Sequence, residues 1–427
     1  MNVVTTHDPA VLARLRRRGW EAPQAVIAEV AAILTAVRQR GDAALSEYAR
    51  RFDDPGFDLA GLRVAIPALE TARAAVTAEL AAAFETAKER ISNFHERQRQ
   101  ADLNYAAEDG SRYGLYRRPL SSVAAYVPGG AATLASSVLM GAVPARIAGV
   151  GRVVVLTPPR RGGLHPALLF ACALCGVDEL YAAGGAQAVA AAAFGTASIA
   201  PVDKIVGPGG TWTTEAKRQV FGTCGVDTLA GPSEVLVVAD DGANSEYVAG
   251  ELLAQAEHAG AARLAVVSES RPLLEAVAQL LDSLDVKTLE RGQLISDAID
   301  RDCLLVHAQT RDEIFEVVDA FAPAALSLQV RDARPYLPRI ARAGAVFVGD
   351  TTPLSSGDYL AGINHVLPTA GTARFASALC LSDFMRSLSV VEYSAERIAA
   401  DAPAIADLAQ LEGLPQHAHT ARMRYGA

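Results

Sequence analysis

The residues best suited to chemistry lie in two widely separated motifs. Gln255-Ala-Glu-His258 has helical spacing, and residues at positions i and i+3 of a helix point from one face. The second motif, Gly357-Asp358-Tyr359, supplies a carboxylate, and His417 follows near the C-terminus. Together these side chains could form a shell of two nitrogens and two oxygens, which suits a zinc ion with one position open for a substrate.

Each candidate also has an ordinary structural interpretation. A glutamine in a helix is usually solvated or packed, and a single histidine is more often a hydrogen-bonded core residue than a metal ligand. Ser233, in the turn Gly231-Pro-Ser233-Glu234, is a candidate substrate contact, but a serine in such a turn is commonly structural. His95, in a polar helical segment, is expected at the surface. The metal interpretation therefore depends on the order of the motifs along the chain.

Three glycine-rich segments follow predicted strands: Tyr126-Val-Pro-Gly-Gly130, Gly184-Gly-Ala-Gln187 and Gly207-Pro-Gly209-Gly210. A loop of this kind at a strand–helix junction can place backbone N–H groups against a phosphate or dinucleotide. None of the three is a G-x-G-x-x-G motif, and a tight strand–helix turn explains the second one equally well. Loops at the carboxyl ends of strands mark the usual ligand crevice of an open α/β sheet.

The bulk composition indicates a folded protein of two or three domains, with 427 residues, 51% hydrophobic and 20% charged. The net charge of −9 and the lack of a basic stripe argue against binding to nucleic acid or an anionic membrane. The sequence shows no secretory signal, membrane-spanning stretch or disulfide framework, so we expect a cytoplasmic protein. Cys172 and Cys175 form a CxxC in an apolar helical run, where both are expected to be buried.

Short β-rich runs alternate with helical segments from about residue 120 onward, which predicts βαβ units. The strand candidates lie within 152–159, 178–195, 234–240, 262–270, 303–308, 325–330 and 344–350. We predict an α/β fold of two doubly wound, Rossmann-like parallel-sheet domains with helical N- and C-terminal extensions. We expect a helical segment at 1–110 and an α/β domain with dinucleotide-type loops at 111–232. A second α/β domain at 233–375 holds the metal site and could pack with part of the N-terminal segment. A helical segment at 376–427 contributes to a partner subunit.

Several longer motifs resemble those of the histidinol dehydrogenase family, from roughly residue 20 to the C-terminus. They are YVPGG, AGGAQAVAA, VDKIVGPGGTWTTEAKRQV, AGPSEVLVVAD, ELLAQAEH, GDYLAGINHVLPT and EGLPQHAHTARMR. The resemblance implies a homodimer with intertwined subunits that binds zinc and oxidises a small polar amino alcohol through an aldehyde to an acid with two NAD⁺.

The resemblance also implies roles for individual residues. By motif match, the zinc ligands fall on Gln255, His258 and Asp358. The fourth ligand, His417, would come from the partner subunit, and its spacing from the EGL motif makes it a better match than His419.

Other positions match residues that contact the substrate or the cofactor. The family's substrate-contacting positions correspond to Ser233, His365 and Glu412 in this chain. The cofactor-contacting positions correspond to Tyr126 and Gln187, which makes NAD the expected second cofactor beside Zn²⁺.

The chain departs from the family pattern at the residues that would move protons. The family signature A-P-E-H-L is Ala322-Pro323-Ala324-Ala325-Leu326 here, and neither Ala324 nor Ala325 can transfer a proton. Each positioned general acid or base typically raises the reaction rate by about 10²–10⁴-fold, and losses within one catalytic unit are not additive. We therefore expect the family's four-electron oxidation to be strongly impaired. Gly210 replaces an asparagine that contacts the dinucleotide, and Leu354 replaces a carboxylate near the substrate.

The adjacent alanines could have been introduced by an experimenter to trap a substrate complex, or they could have arisen by natural divergence. Gly210 and Leu354 are not such choices, so natural divergence explains all four changes better. Three functions remain open: a zinc- and NAD-dependent dehydrogenase of an amino alcohol or related polar alcohol with altered or reduced catalysis, a non-redox zinc enzyme, and a catalytically inactive zinc-binding dimer.

Overall fold

Two six-stranded sheets organise the computed structural model, which describes residues 1–16, 19–129, 134–258, 262–285 and 288–425. These residues divide into a main unit, Met1–Arg97 with Ser121–Phe384, and a small unit, Gln98–Leu120 with Met385–Ala427. Both six-stranded sheets belong to the main unit. Within the described ranges, the chain has no helix with the length and apolar character that a membrane span requires.

The predicted strands are confirmed. In chain order the strands are β1 Val3–Thr5, β2 Arg63–Val64, β3 Leu103–Ala106, β4 Arg112–Pro119, β5 Ser122–Tyr126, β6 Arg152–Thr157, β7 Glu179–Ala182, β8 Lys204–Val206, β9 Gly225–Val226, β10 Glu234–Ala239, β11 Arg263–Ser268, β12 Cys303–His307, β13 Ala325–Gln329, β14 Ala345–Val348 and β15 Met385–Glu392. The α-helices are α1 Pro9–Leu15, α2 Gln24–Arg40, α3 Asp42–Phe52, α4 Leu69–Ala74, α5 Ala78–Glu96, α6 Ser136–Ala148, α7 Pro166–Leu174, α8 Gly185–Phe194, α9 Thr211–Val220, α10 Ser245–Ala256, α11 Arg271–Asp282, α12 Gly292–Asp302, α13 Arg311–Phe321, α14 Leu354–Tyr359, α15 Ala395–Leu411 and α16 Pro415–Tyr425.

The first sheet, here called the N-sheet, has the strand order β2-β7-β6-β5-β8-β9. Its pairs are parallel except for β2 with β7. The chain proceeds from β5 outward through β6 and β7, and then returns to the other side of β5 with β8. This reversal makes a topological switch point between β5 and β8, where open α/β sheets usually bind ligands at the carboxyl ends of the strands.

The second sheet, here called the C-sheet, has the order β1-β12-β11-β10-β13-β14, and all of its pairs are parallel. All six residues of β10 are buried, because helices cover both faces of the sheet. Alternate residues of β10 belong to different core clusters: Val235 and Val237 lie on one face, and Leu236 and Val238 on the other. The predicted α/β class with parallel sheets is therefore confirmed.

The terminal segments are less purely helical than the sequence suggested. Within the segment predicted as helical at 1–110, β1 pairs with β12 at the edge of the C-sheet, and β2 pairs with β7. These strands are two or three residues long, which is too short to show an alternating pattern. The segment 376–427 contains β15, which forms a three-stranded antiparallel sheet with β4 and β3 in the small unit. That strand is largely exposed, so burial imposes no period on its sequence.

A buried ion pair fixes the amino ends of β10 and β11. The guanidinium of Arg263 lies 2.9 Å from Glu234 Oε1, and both side chains are almost completely buried. Arg263 also donates to the carbonyl oxygen of Leu15 at 2.9 Å and stacks over the ring of Phe321. The backbone N–H of Arg263 donates to the carbonyl of Ser233 at 2.9 Å. These bonds hold the Gly-Pro-Ser turn rigidly at the start of the C-sheet.

We expect the substitution Arg263→Met to lower the free energy of unfolding by about 3–5 kcal/mol, because it leaves Glu234 charged and buried without its partner. Glu234→Gln combined with Arg263→Met should recover part of this loss, since it removes the buried charge of Glu234, although Asp302 still loses its longer contact to Arg263 at 3.5 Å. The matched control is Arg271→Met, which removes an exposed arginine paired with Glu275 and should cost less than about 1 kcal/mol. Urea denaturation measures all three, and equal losses for Arg263→Met and Arg271→Met would contradict this account.

Candidate functional site

The main unit contains a cavity of about 910 Å³ between the two sheets. Its wall includes Pro128 and Gly129 after β5 and Pro208–Thr211 after β8, at the carboxyl edge of the N-sheet switch point. On the other side are Ser233 and Glu234 at the start of β10, and Ala324 and Ala325 at the start of β13. The cavity therefore joins the carboxyl edge of one sheet to the amino edge of the other. The sequence indicated Ser233 and the carboxyl-edge loops separately, but not that they line one cavity.

Three of the four predicted zinc ligands line this cavity: Gln255, His258 and Asp358. Gln255 lies in the last turn of α10, and the backbone N–H of His258 donates to the carbonyl oxygen of Gln255 at 3.3 Å just beyond the helix end. Asp358 lies in the short helix α14. The two motifs, distant in sequence, are thus close together in the fold.

Glu251 connects the helices that carry these ligands. It lies one turn before Gln255 on α10, and its carboxylate oxygens accept the backbone N–H of Leu354 at 3.2 and 3.1 Å. Leu354 is the first residue of α14, so the bond fixes the start of the helix that presents Asp358. Burial raises the pKa of Glu251, and the nearby charge of Asp358 raises it further, whereas the Leu354 N–H lowers it. This positioning role of Glu251 was not predicted from the sequence.

His365 also lines the cavity and has partners at both ring nitrogens. Nδ1 lies 3.0 Å from the carbonyl oxygen of Asp358, and Nε2 lies 3.2 Å from the hydroxyl of Ser137. Burial lowers the pKa of His365, which favours the neutral ring. Because a carbonyl oxygen only accepts, the proton of the neutral ring belongs on Nδ1, and Nε2 presents its lone pair to Ser137.

The neighbouring Asn364 holds this loop in place. Its side-chain amide donates to the carbonyl oxygen of Met140 at 2.8 Å, and its side-chain oxygen accepts the backbone N–H of Val366 at 3.0 Å. The NHVLP motif is therefore anchored to α6 and to its own backbone, which fixes the orientation of His365.

The four positions at which the family resemblance implies other residues lie in the wall of this same cavity: Gly210, Ala324, Ala325 and Leu354. Ala324, Ala325 and Leu354 are buried, so this part of the wall carries methyl and isobutyl groups. A Cβ added at Gly210 would meet no heavy atom within 4 Å, so packing does not require glycine there.

Tyr126 and Gln187 are not part of the cavity wall in the described residues. The buried Tyr126 hydroxyl accepts the backbone N–H of Gly185 at 3.0 Å, which satisfies a donor at the start of α8. The side-chain amide of Gln187 donates to Asp53 Oδ2 at 2.8 Å. Their cofactor role stays a prediction, and Gly130 of the YVPGG motif lies outside the described residues.

The small unit carries the two remaining predicted residues. Glu412 caps the C-terminus of α15, and His417 lies in the first turn of α16. Gly413, with φ +72°, makes the left-handed turn between these helices. Both side chains are exposed in the isolated chain, and their roles stay predictions.

Two other expectations have clear outcomes. His95 is completely buried, so the expectation of a surface position was wrong. It shares the buried face of α5 with Ile91, four residues earlier, and its Nδ1 lies 2.9 Å from the Ile91 carbonyl oxygen. Polar neighbours in sequence masked this periodicity. Cys172 and Cys175 are buried as expected, and burial raises the pKa of both thiols.

The donor set at the cavity fits zinc but does not complete its shell. Among the described residues, no three His, Cys, Asp or Glu side chains are grouped to hold a metal. The cavity offers one amide oxygen, one imidazole nitrogen and one carboxylate, from Gln255, His258 and Asp358. A catalytic zinc site normally has three protein ligands and a fourth position for water or substrate. These three side chains therefore match the number of protein donors in a catalytic site, and His417 as a further ligand stays a prediction.

A sequence model described as histidinol dehydrogenase matches residues 16–425. This chain belongs to the histidinol dehydrogenase family. Over 409 residues it is 44% identical to the histidinol dehydrogenase of Rhodospirillum rubrum, covering 95% of this chain and 94% of that relative. It is 43% identical to the Gluconobacter oxydans histidinol dehydrogenase over 401 residues, with 94% and 93% covered.

The fold agrees with this membership. The crystal structure of histidinol dehydrogenase from Elizabethkingia anophelis matches with a TM-score of 0.91 at 32% identity, covering 99% of this chain and 98% of that one. The family consists of zinc- and NAD-dependent oxidoreductases, so the resemblance seen in the sequence is confirmed. The chain is thus a member of the histidinol dehydrogenase family over nearly its whole length.

Asp53 is a partly buried carboxylate that the sequence did not single out, and it allows a test by pH. Burial raises the pKa of Asp53 to about 6, against a smaller opposite effect of the Gln187 hydrogen bond. Because the folded-state pKa is raised, the protonated form is favoured on folding, and stability is lost as the pH rises from about 4 through about 6. We expect Asp53→Asn to raise the melting temperature relative to wild type more at pH 8 than at pH 4.5.

The matched control for this prediction is Glu89→Gln, which neutralises an exposed carboxylate on α5. Its effect on the melting temperature should not change over the same pH interval. An Asp53→Asn effect that is independent of pH would show that Asp53 is not held in an environment that disfavours its charge.

Proposed function

We propose that this protein is a zinc- and NAD-dependent dehydrogenase of an amino alcohol or a related polar alcohol, with proton transfer weakened by the alanine pair. One observation carries the proposal: Ala324 and Ala325 share a cavity with the zinc-ligand candidates Gln255, His258 and Asp358. The metal-binding side of the site is kept while the groups expected to move protons are absent.

The chain's own residues would hold the cofactors as follows. Gln255, His258 and Asp358 bind zinc from the main unit, and His417 of a second copy supplies the fourth donor. When bound, zinc acts as a Lewis acid that lowers the pKa of a coordinated alcohol. The loops after β5 and β8 approach the dinucleotide, with Tyr126 and Gln187 as further cofactor-binding residues, and the absent side chain at Gly210 weakens that contact.

Substrate orientation falls to the remaining polar residues of the site. Ser233 and His365 line the cavity and offer a hydroxyl and an imidazole to a polar alcohol. Glu412 of a second copy, like His417, would supply a carboxylate. Since the small unit leaves apolar side chains exposed, with Leu411 84% exposed and Leu408 62%, we propose a homodimer in which a second copy covers them and completes the site.

The alanine pair has a specific consequence for the extent of oxidation. The first two-electron step converts an alcohol to a carbonyl while NAD⁺ becomes NADH and one proton is released. The second step, from aldehyde to acid, also needs an activated water, which is the task of the family's glutamate. Ala324 removes that group, so we propose that this chain performs the first step more effectively than the second.

We expect the double substitution Ala324→Glu with Ala325→His to raise the rate of L-histidinol oxidation by at least about a hundredfold, because it restores two proton-transfer groups beside the zinc ligands. NADH absorbance in the zinc-loaded protein measures the rate. His258→Ala added to the double variant is the control, and it should abolish the gain.

Wild-type protein should still reduce NAD⁺ slowly with at least one polar alcohol and accumulate the carbonyl product. If no alcohol of a broad panel yields NADH with zinc-loaded wild type, the proposed dehydrogenase function is wrong. In a dehydrogenase, the substrate should tighten the binding of NAD⁺. A non-redox zinc enzyme should show no such effect of substrate on NAD⁺ binding.

A further inference from the structure

A guanidinium group lies in the cavity wall next to the predicted zinc ligands. Arg291 immediately precedes α12, and its Nη1 donates to the carbonyl oxygen of Glu257 at 3.1 Å. Glu257 is the residue directly before His258, so this bond holds the guanidinium at the end of α10 that carries the ligands. It uses one of the five N–H donors that an arginine side chain possesses.

Further donors surround Arg291. Tyr359, which follows Asp358, also lines the cavity, and its phenol is a further hydrogen-bond donor. The first residues of α12, Gly292–Leu294, line the cavity as well, and no side chain among the described residues caps this helix. The backbone N–H of Gly292 donates to the Leu289 carbonyl oxygen at 3.1 Å, so the donors relevant to a ligand are those of Gln293 and Leu294. The backbone N–H groups at a helix start carry partial positive charge. This side of the cavity is therefore rich in donors.

The acidic groups of the cavity leave Arg291 available for a negatively charged ligand. Glu234 is paired with Arg263, and Asp358 would be neutralised by a divalent cation. Glu290 also belongs to the wall, but its side chain is exposed. Ala324 and Leu354, at positions where the resemblance implies carboxylates, cannot pair with an ammonium group. An ammonium-bearing substrate would thus find no carboxylate at these two positions, whereas an acid could pair with Arg291.

We propose that Arg291 binds an acidic group, such as a carboxylate or a phosphate, of the alcohol that this protein oxidises. Tyr359 and the backbone N–H groups at the start of α12 contribute further hydrogen bonds. This inference rests on the proposed function for the oxidation itself, in which a hydroxyl becomes a carbonyl and NAD⁺ becomes NADH. The acidic group is bound and does not react.

A series of three-carbon alcohols tests this by calorimetric titration of the zinc-loaded protein: 3-aminopropane-1,2-diol, glycerol, glycerate and glycerol 3-phosphate. These probes share a diol and differ in the charge of the third carbon's substituent. At least one acid should bind about tenfold or more tightly than the amine and glycerol, and the stronger of the two acids identifies a carboxylate or a phosphate as the preferred group.

Three variants assign the effect to one side chain. Arg291→Gln should weaken binding of the preferred acid on the order of ten- to a hundredfold and leave glycerol unchanged, because a charge-assisted hydrogen bond is lost. Arg291→Lys, which keeps the charge without the planar fork, should fall between wild type and Arg291→Gln. The adjacent Glu290→Gln should not weaken acid binding.

The opposite pattern overturns the inference. Tighter binding of the amine than of either acid, or acid binding that Arg291→Gln leaves unchanged while zinc content and melting temperature are retained, shows that Arg291 does not select the substrate. NADH formation is read separately. If acids bind through Arg291 but no alcohol of the broad panel is turned over, the proposed dehydrogenase function is wrong and the acid-binding role of Arg291 stands.

Discussion

A single carboxylate joins the two parts of the site on which the functional account depends. Glu251 on α10 accepts the backbone N–H of Leu354 at the start of α14, and thereby connects the helix of Gln255 to the helix of Asp358. Metal ligands act together only if their separation is fixed, and hydrogen bonds just outside the ligand shell usually provide this. The buried pair of Arg263 and Glu234 fixes the opposite wall in the same manner.

This scaffold surrounds a cavity that combines polar side chains, such as His258 and Asp358, with the apolar side chains of Ala324, Ala325 and Leu354. The family resemblance implies ionisable side chains at the three apolar positions and an asparagine at Gly210, where an added Cβ would meet no heavy atom within 4 Å. The proposed divergence is therefore one of chemistry within a fold that the family shares. Arg291 contributes a positive charge to the cavity wall, whereas Ala324 and Leu354 contribute no negative charge. A substrate with an acidic group is the consequence that we propose.

Much of the fold could be predicted because burial on both faces gives strands such as β10 a continuous apolar sequence. The convergence of the QAEH and GDY motifs was also predictable, but only through family resemblance, since Gln255 or His258 alone has a more common structural role. The burial of His95 was not predictable, because its neighbours in sequence are polar. The hydrogen bond between Asp53 and Gln187 was not predictable either, because the two residues are distant in sequence and nothing local marks the contact. The short β1 and β2 carry too few residues for a pattern, and the position of Arg291 follows from tertiary packing alone.

The central claim is that a zinc ion binds to Gln255, His258 and Asp358 of one chain and to His417 of another. Mixing refolded His258→Ala and His417→Ala variants tests it most directly, with the zinc content of the separated hybrid dimer as the measurement. Each hybrid should hold one intact site, assembled from the His258 of one chain and the His417 of the other, and bind about one tight zinc per dimer, whereas each variant alone binds weakly. A hybrid that binds no more tightly than its parents would contradict a ligand shell shared between two chains.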